Sequence, residues 1–326
     1  MKHLNLIHCV FTLILLQSPV MAIGAGLLTP LYNGGEWYDT DGNRINCHGG
    51  NIIKTDSLYL YGEHRPGFDA NRFVWSDEFD NDGPIDSLYW NYEKGFVRNH
   101  EDQWYQTENA YCKDGLLVLE ARKENRPNPL YKESSSDWRS SRPTIDYSSA
   151  SVNTRGKLEF QYGTLEVRAR IPAAPGAWPA IWTLGKDMPW PSNGEIDVME
   201  YYRINGVPHI LANAAWGKDK PNDAEWNSKM VPFEKFLEKD PDWASKFHIW
   251  RMDWDEDYLR IFLDDELINE ISLEDTYNGK IGKGANPMRQ PHYVLLDLAL
   301  GGDHGGEISA DALPMRYEID YVRIYQ

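Results

Sequence analysis

Gly194-Glu195-Ile196-Asp197-Val198-Met199-Glu200-Tyr201-Tyr202-Arg203 sets three carboxyl groups among β-branched and aromatic residues. That mixture favours an extended strand over a helix. Alternate side chains on a strand share a face, so Glu195 and Asp197 point the same way. Glu200, five positions after Glu195, would fall on the opposite face. One extra residue restores the parity, because a β-bulge lets two residues occupy a single pleat step. The spacing therefore predicts a bulged strand that carries all three carboxyls on one side.

With that bulge, Glu195 and Glu200 lie about four pleat steps apart, roughly 13 Å between Cα atoms. If each side chain leans inward by about 4 Å, the carboxyl groups end roughly 5 Å apart. Such a pair suits retaining cleavage of a glycosidic bond, one carboxylate attacking the sugar and the other shuttling a proton. Asp197 between them would raise the proton affinity of its neighbours by like-charge repulsion. Upstream runs Gly176-Ala177-Trp178-Pro179-Ala180-Ile181-Trp182-Thr183-Leu184-Gly185, and Trp190, Pro191 and Asn193 fill the gap. Indole rings beside paired carboxylates suit a sugar, whose C–H face stacks on aromatic surface. Trp178 and Trp182 are four apart and share a strand face.

The chain has 326 residues, enough for one large β domain or two smaller ones, and its 13 Trp, 19 Tyr and 10 Phe can furnish both a core and an aromatic groove. Its formal net charge of −17 is spread along the chain. Nucleic acid is excluded as a partner, since phosphate binding needs clustered Lys and Arg. A strongly anionic polysaccharide is disfavoured for the same reason, a neutral polysaccharide fits the charge best, and a monomer is expected.

Residues 1–22 read as a secretory signal, with Lys2, an apolar run from Val10 to Leu16, and Val20-Met21-Ala22 as a cleavage site. The apolar run is too short to span a bilayer, so a secreted or periplasmic protein is expected. Residues 23–72 differ from the rest and hold Trp37-Tyr38-Asp39-Thr40-Asp41-Gly42-Asn43 and Leu58-Tyr59-Leu60-Tyr61-Gly62-Glu63-His64. This piece resembles the opening segment of glycoside hydrolase family 43 propellers, but it is too short to close a propeller and reads as an extension. Cys47 and Cys112 could pair in an oxidising compartment or remain free, and the odd cysteine count favours the free form.

The main domain is expected over 73–326. Leu116-Leu117-Val118-Leu119-Glu120-Ala121 reads as a core strand, and Leu165, Val167, Ala169 and Ile171 alternate with Glu166, Arg168 and Arg170. Tyr258–Leu263 and Glu266–Ile271 flank Asp264-Asp265 as a hairpin. Tyr293–Leu300 and Tyr317–Tyr325 supply two more strands, the last with Ile319, Tyr321, Arg323 and Tyr325 on one face. A short helix fits within Phe233–Lys246. The fold class is all-β, a sandwich of two antiparallel sheets.

The carboxylate strand, Glu101-Asp102-Gln103-Trp104-Tyr105, Ser149-Ala150-Ser151-Val152-Asn153-Thr154, Tyr162–Arg168 and Leu296-Asp297-Leu298-Ala299-Leu300-Gly301-Gly302 together closely resemble glycoside hydrolase family 16, in its bulge-containing laminarinase-like branch. The resemblance implies a β-jelly roll with a groove across a concave sheet. It implies a nucleophile at Glu195, an assisting Asp197 and an acid/base at Glu200, acting on β-1,3 or mixed β-1,3/1,4-glucan from within the chain. Trp178, Trp182, Trp104 and Trp216 are candidate sugar contacts. Asn153 and Arg155 could bond sugar hydroxyls, Arg155 equally a surface acid. His209 and Asn213, four apart, sit either in the core or in the groove. No cofactor is required, although Glu78, Gly115 and Asp320 resemble positions that hold a structural calcium in many members. Alternatives are a β-galactan hydrolase, a transglycosylase, or a glycan-binding jelly roll without turnover.

Overall fold

Strand periodicity through the last three quarters of the sequence is realised as two sheets that share one apolar core. The computed structural model describes residues 47–54, 58–64 and 73–326. Contacts divide the chain into one unit ending at Phe73 and another from Val74 to Gln326. In the first unit, Cys47–Lys54 and Leu58–His64 form an antiparallel pair. The signal segment 1–22, and most of 23–72 with its family 43 likeness, lie outside the described residues.

In the second unit, one sheet has seven strands: β1 (Asn91–Tyr92), β2 (Ser151–Asn153), β3 (Ala177–Gly185), β4 (Glu195–Ile204), β5 (Val207–Gly217), β6 (Ala224–Pro232) and β7 (His292–Leu300). They lie in the order β6-β5-β4-β3-β7-β2-β1, all antiparallel. At the centre of the other sheet, Gly163–Arg170 pairs with His248–Trp254 on one side and Met315–Tyr325 on the other. Tyr258–Leu263 and Glu266–Ser272 extend one edge, Leu116–Pro127, Thr144–Ser149 and Gln103–Tyr105 the other. The pairing of Gln103–Tyr105 with Thr144–Ser149 is parallel, a departure from the all-antiparallel expectation. A parallel pair needs a long connection, and the intervening Leu116–Pro127 arm supplies it.

Alternation explains which side chains meet. Leu165, Val167 and Ala169 face inward from one sheet, and Ile181, Ile196, Ile210, Leu296 and Leu298 from the other, all in one buried cluster. Strand β7 is buried along its whole length because both of its faces are covered. Val294, Leu296, Leu298 and Leu300 enter the core, whereas Tyr293 and Leu295 join a smaller cluster with Ala180 and Trp182 on the opposite face. The hairpin at Asp264-Asp265 forms as the sequence indicates, both residues at positive φ (49° and 68°), the pattern of a two-residue type I′ turn. The short helix appears as Glu234–Lys239, followed by a 3-10 turn at Trp243–Ser245.

The C-terminal strand corrects a simple alternation. Its register slips between Arg168↔Tyr321 and Ala169↔Ile319, so Asp320 is an inserted residue. Tyr317 and Ile319 face the core before the slip, and Val322 and Ile324 after it. Strict period two would have turned Val322 and Ile324 outward; the bulge brings two large apolar residues back in.

Leu296 is fully buried between the sheets. Leu296→Ala should lower unfolding free energy by about 2–5 kcal/mol, read as a fall in the urea midpoint at unchanged slope. A loss under about 1 kcal/mol would contradict the assigned core.

Candidate active site

The bulge that the spacing of Glu195, Asp197 and Glu200 requires is present in β4. Strand β3 pairs Trp182 with Asp197 and Ile181 with Met199, leaving Val198 without a partner of its own. On the other side, Asp197 pairs with Asn213 and Glu200 with Leu211, so two residues of β4 face one of β5. Val198 and Met199 both turn into the core, 2% and 0% exposed. Glu200 consequently emerges on the face of Glu195 and Asp197, and all three line one cavity of about 670 Å³. Gly194 starts the strand at φ 78°, and a β-carbon there would meet the Pro287 Cβ at 2.8 Å. Only glycine fits both conditions.

Each carboxyl is held by a neutral N–H donor. The Trp190 indole N–H donates to Glu195 Oε2 at 2.9 Å, and that of Trp178 to Glu200 Oε1 at 3.0 Å. The Asn213 amide donates to Glu200 Oε2 at 2.9 Å and to Asp197 Oδ2 at 3.2 Å. Asp197 and Glu200 also share a hydrogen bond. A fourth carboxyl, Asp297 of β7, receives the Trp182 indole N–H at 2.6 Å and the Tyr105 hydroxyl at 3.1 Å. It faces the same cavity, as do Arg98 and Glu101.

So many acids in one cavity resist ionising together. Burial, then the charge of Glu200, pushes the Glu195 carboxyl well up from the usual carboxylate range, while the Trp190 N–H and the Arg98 charge pull it back. Burial lifts Glu200 to about 7. Burial and both neighbouring glutamates hold Asp197 well above the usual carboxylate range. Burial also raises Asp297 to about 6 and Glu101 to about 7. Near neutral pH the cluster therefore retains protons, the condition a carboxyl must meet to act as a general acid.

The tryptophans divide by exposure. Trp178 and Trp182 line the cavity on one face, but are only 6% and 8% exposed. Arg98 covers the Trp182 ring at 5.0 Å, and Tyr202 and His304 pack edge-on against Trp178. These two indoles hold carboxyls more than they offer open faces. The open faces belong to Trp190 and Trp226, at 40% and 43% exposed.

Of the other sequence candidates, only Asn213 lines the cavity. Trp216 takes the parity of the core-facing Ala212 and Ala214, opposite to Asn213. Trp104 packs edge-on against Phe96 beneath Arg126. Asn153 is tied to Asn91 and to the Arg155 amide, and the Arg155 guanidinium lies over Tyr293. His209 shares the face of Asn213 but contacts the Val207 carbonyl at 2.8 Å, away from the cavity. Cys112 is a free, buried thiol. Both Glu78 oxygens accept from Arg323 at 2.9 and 2.8 Å, and Asp320 accepts from Arg168. The carboxylates of Glu78 and Asp320, named with Gly115 as calcium positions, are thus occupied by guanidinium groups, and no cluster of three or more acidic, His or Cys side chains able to hold a metal occurs among the described residues.

Arg98, Trp190, Tyr202, Trp226, Asp297 and His304 are cavity residues that the candidate list missed. Trp190, named only as a flank, is five residues from Glu195 and could have been promoted. Tyr202, two residues after Glu200 on the same strand face, could have been promoted too, whereas Arg98, Trp226, Asp297 and His304 come from distant segments with no local signal.

Comparison with known proteins follows the same lines. The family model of glycosyl hydrolases family 16 matches residues 97–323. The chain belongs to that family. A beta-glucanase of Rhodothermus marinus is 32% identical over 266 residues, covering 78% of this chain and 84% of the relative. Glucan endo-1,3-beta-glucosidase A1 of Niallia circulans is 28% identical over 80% of this chain but 39% of its own length. The chain thus spans about two fifths of that relative. Among solved structures, the laminarinase catalytic domain of Thermotoga maritima superimposes with a TM-score of 0.63 at 32% identity, over 78% of this chain and 98% of the other. A structure from work on endo-acting O-glycanases, expressed by prominent human gut microbiota to initiate mucin breakdown, matches with a TM-score of 0.68 at 35% identity, over 78% and 90%. Two β-sheets in a jelly-roll sandwich are common ground with this family 16 chain.

Acids whose pKa is higher folded than unfolded bind protons on folding. Their stability contribution is therefore full below about pH 4.5, the unperturbed value, and is lost as pH rises through 7 to 8. Glu200→Gln removes one such group. It should raise the thermal midpoint by roughly 5 °C at pH 8 and far less at pH 5, by calorimetry. An equal or lower midpoint at pH 8 would contradict the electrostatics of the site.

Proposed function

We propose that this family 16 chain is a retaining endo-hydrolase of β-1,3 or mixed β-1,3/1,4-glucan. The observation that carries the proposal is the single-face display of Glu195, Asp197 and Glu200 over one cavity, each carboxyl oriented by an aromatic or amide N–H. Glu195 attacks the anomeric carbon, and Glu200 protonates the departing glycosidic oxygen. Once deprotonated, Glu200 draws a proton from water as it attacks the glycosyl-enzyme bond, freeing Glu195. Asp197, itself held protonated, donates to Glu200 and steadies it once it has given up its proton, because the pair shares one hydrogen bond and cannot carry two charges easily. Arg98 and the Trp190 N–H favour ionised Glu195, the form that attacks. The residues 1–22 direct the protein out of the cytoplasm, and it acts there as a monomer without a cofactor.

A second reading is supported by the O-glycanase structure and by a keratan-sulfate endo-1,4-beta-galactosidase of Sphingobacterium multivorum, 28% identical over 78% of this chain. In that reading the same carboxyls cleave a β-galactosidic linkage. A beta-1,3-glucan-binding protein of Penaeus monodon is also a relative, 32% identical over 48% of this chain. Pure binding, however, gives no reason to hold three buried acids against their mutual repulsion.

Laminarin, lichenan, de-branched galactan and mucin O-glycans should be incubated with the protein and the products sized. Release of short oligosaccharides from laminarin or lichenan is expected, falling at least about 10³-fold in Glu195→Ala and Glu200→Ala with folding preserved. Cleavage of galactan or O-glycans alone would select the second reading, and activity persisting in either variant would remove the assigned roles.

A further inference from the structure

The cavity has two unlike ends. Around β7 its wall is charged, with Arg98 paired to Glu93, Glu101 accepting from Gln103, and Asp297 accepting from Trp182 and Tyr105. On the other side of β4 the wall is the edge strand β6, whose cavity-facing residues include Trp226 and Ser228. Trp226 is in register with Ala215, and Ala215 with Glu195. It is therefore rooted two strand spacings, about 10 Å, from the carboxylate strand. Between them stands only a methyl group, so the Trp226 indole is not walled off from Glu195.

Trp226 is 43% exposed, although an indole is among the most costly side chains to leave in water. Single exposed apolar residues on a surface need no explanation. Trp226 differs because it lines the same cavity as Trp190, itself 40% exposed, whereas Trp178 and Trp182 are closed in by protein. Trp190 is tied through its N–H to the Glu195 carboxyl, so Trp226 supplies the open indole on the edge-strand side of the cavity.

We infer that Trp226 forms an outer sugar subsite that stacks the C–H face of a neutral hexose unit beyond the linkage being cleaved. The inference rests on the hydrolase reading and deepens it. Trp226 stands too far from β4 to serve the attacked sugar, so it grips a neighbouring unit and makes affinity depend on chain length.

The test uses the full chain carrying Glu200→Gln, to prevent turnover, and calorimetric titration with laminaritriose and laminarihexaose. Trp226→Ala is expected to reduce the ratio of hexaose to triose affinity about tenfold, and Trp226→Tyr to restore most of it. An unchanged ratio, or equal losses for both lengths, would overturn the subsite. Matching thermal midpoints of the variants exclude misfolding as the cause. If the wild-type protein leaves laminarin intact and cleaves another polymer of the panel, oligosaccharides of that polymer replace the laminari-series with the same expectation. A wild-type protein inert on every polymer overturns the hydrolase reading, and the subsite with it. An active one with a length-independent Trp226→Ala overturns the subsite alone.

Discussion

One inserted residue, Val198, governs the site. Were Val198 and Met199 to alternate in and out, period two would drive Glu200 into the core, where an ionisable group lacking a partner is strongly destabilising. The core itself enforces the insertion, because Val198 and Met199 both find apolar neighbours between the sheets. Burial of two adjacent side chains thus fixes the direction of a third. The one-sided display of the three carboxyls is a by-product of hydrophobic packing on the reverse of the same strand, and cannot be altered without disturbing that packing.

The opposite constraint is electrostatic. Five carboxyls around one cavity oppose folding at neutral pH, and the chain manages them with indole and amide donors instead of a shell of lysines. Neutral donors steady a carboxylate without cancelling its charge, so its proton affinity stays high enough for acid catalysis. Arg98, whose ion pair with Glu93 and seat on Trp182 fix its position, supplies the counter-charge that favours ionisation of Glu195. Folding stability is exchanged for reactivity at this place, as is common where activity requires strained or repelling groups.

Local patterns carried much of this architecture. The hairpin at Asp264-Asp265, the alternating Leu165–Ile171 strand and the need for a bulge before Glu200 are all readable from period two and turn chemistry. The bulge at Asp320 was not, since Glu318–Ile324 alternates plausibly in either register and only the shared core decides. The face of Trp216 was legible but overlooked, three residues from Asn213 and so on the other side. Asp297, Arg98, His304 and Trp226 gather only through sheet order, which brings β7 and β6 to within two strands of β4. The expectation for Trp178 and Trp182 had the right face. Sequence could not foretell that neighbours would cover both rings.

The most direct test of the account is covalent trapping. An activated 2-deoxy-2-fluoro glycoside of the sugar that the protein cleaves should form a stable adduct, located by peptide mass spectrometry. A single label on Glu195 is the predicted result. Label on Glu200 or Asp197, or turnover without any trappable adduct, would contradict the assignment of nucleophile and proton donor to the two ends of the bulged strand.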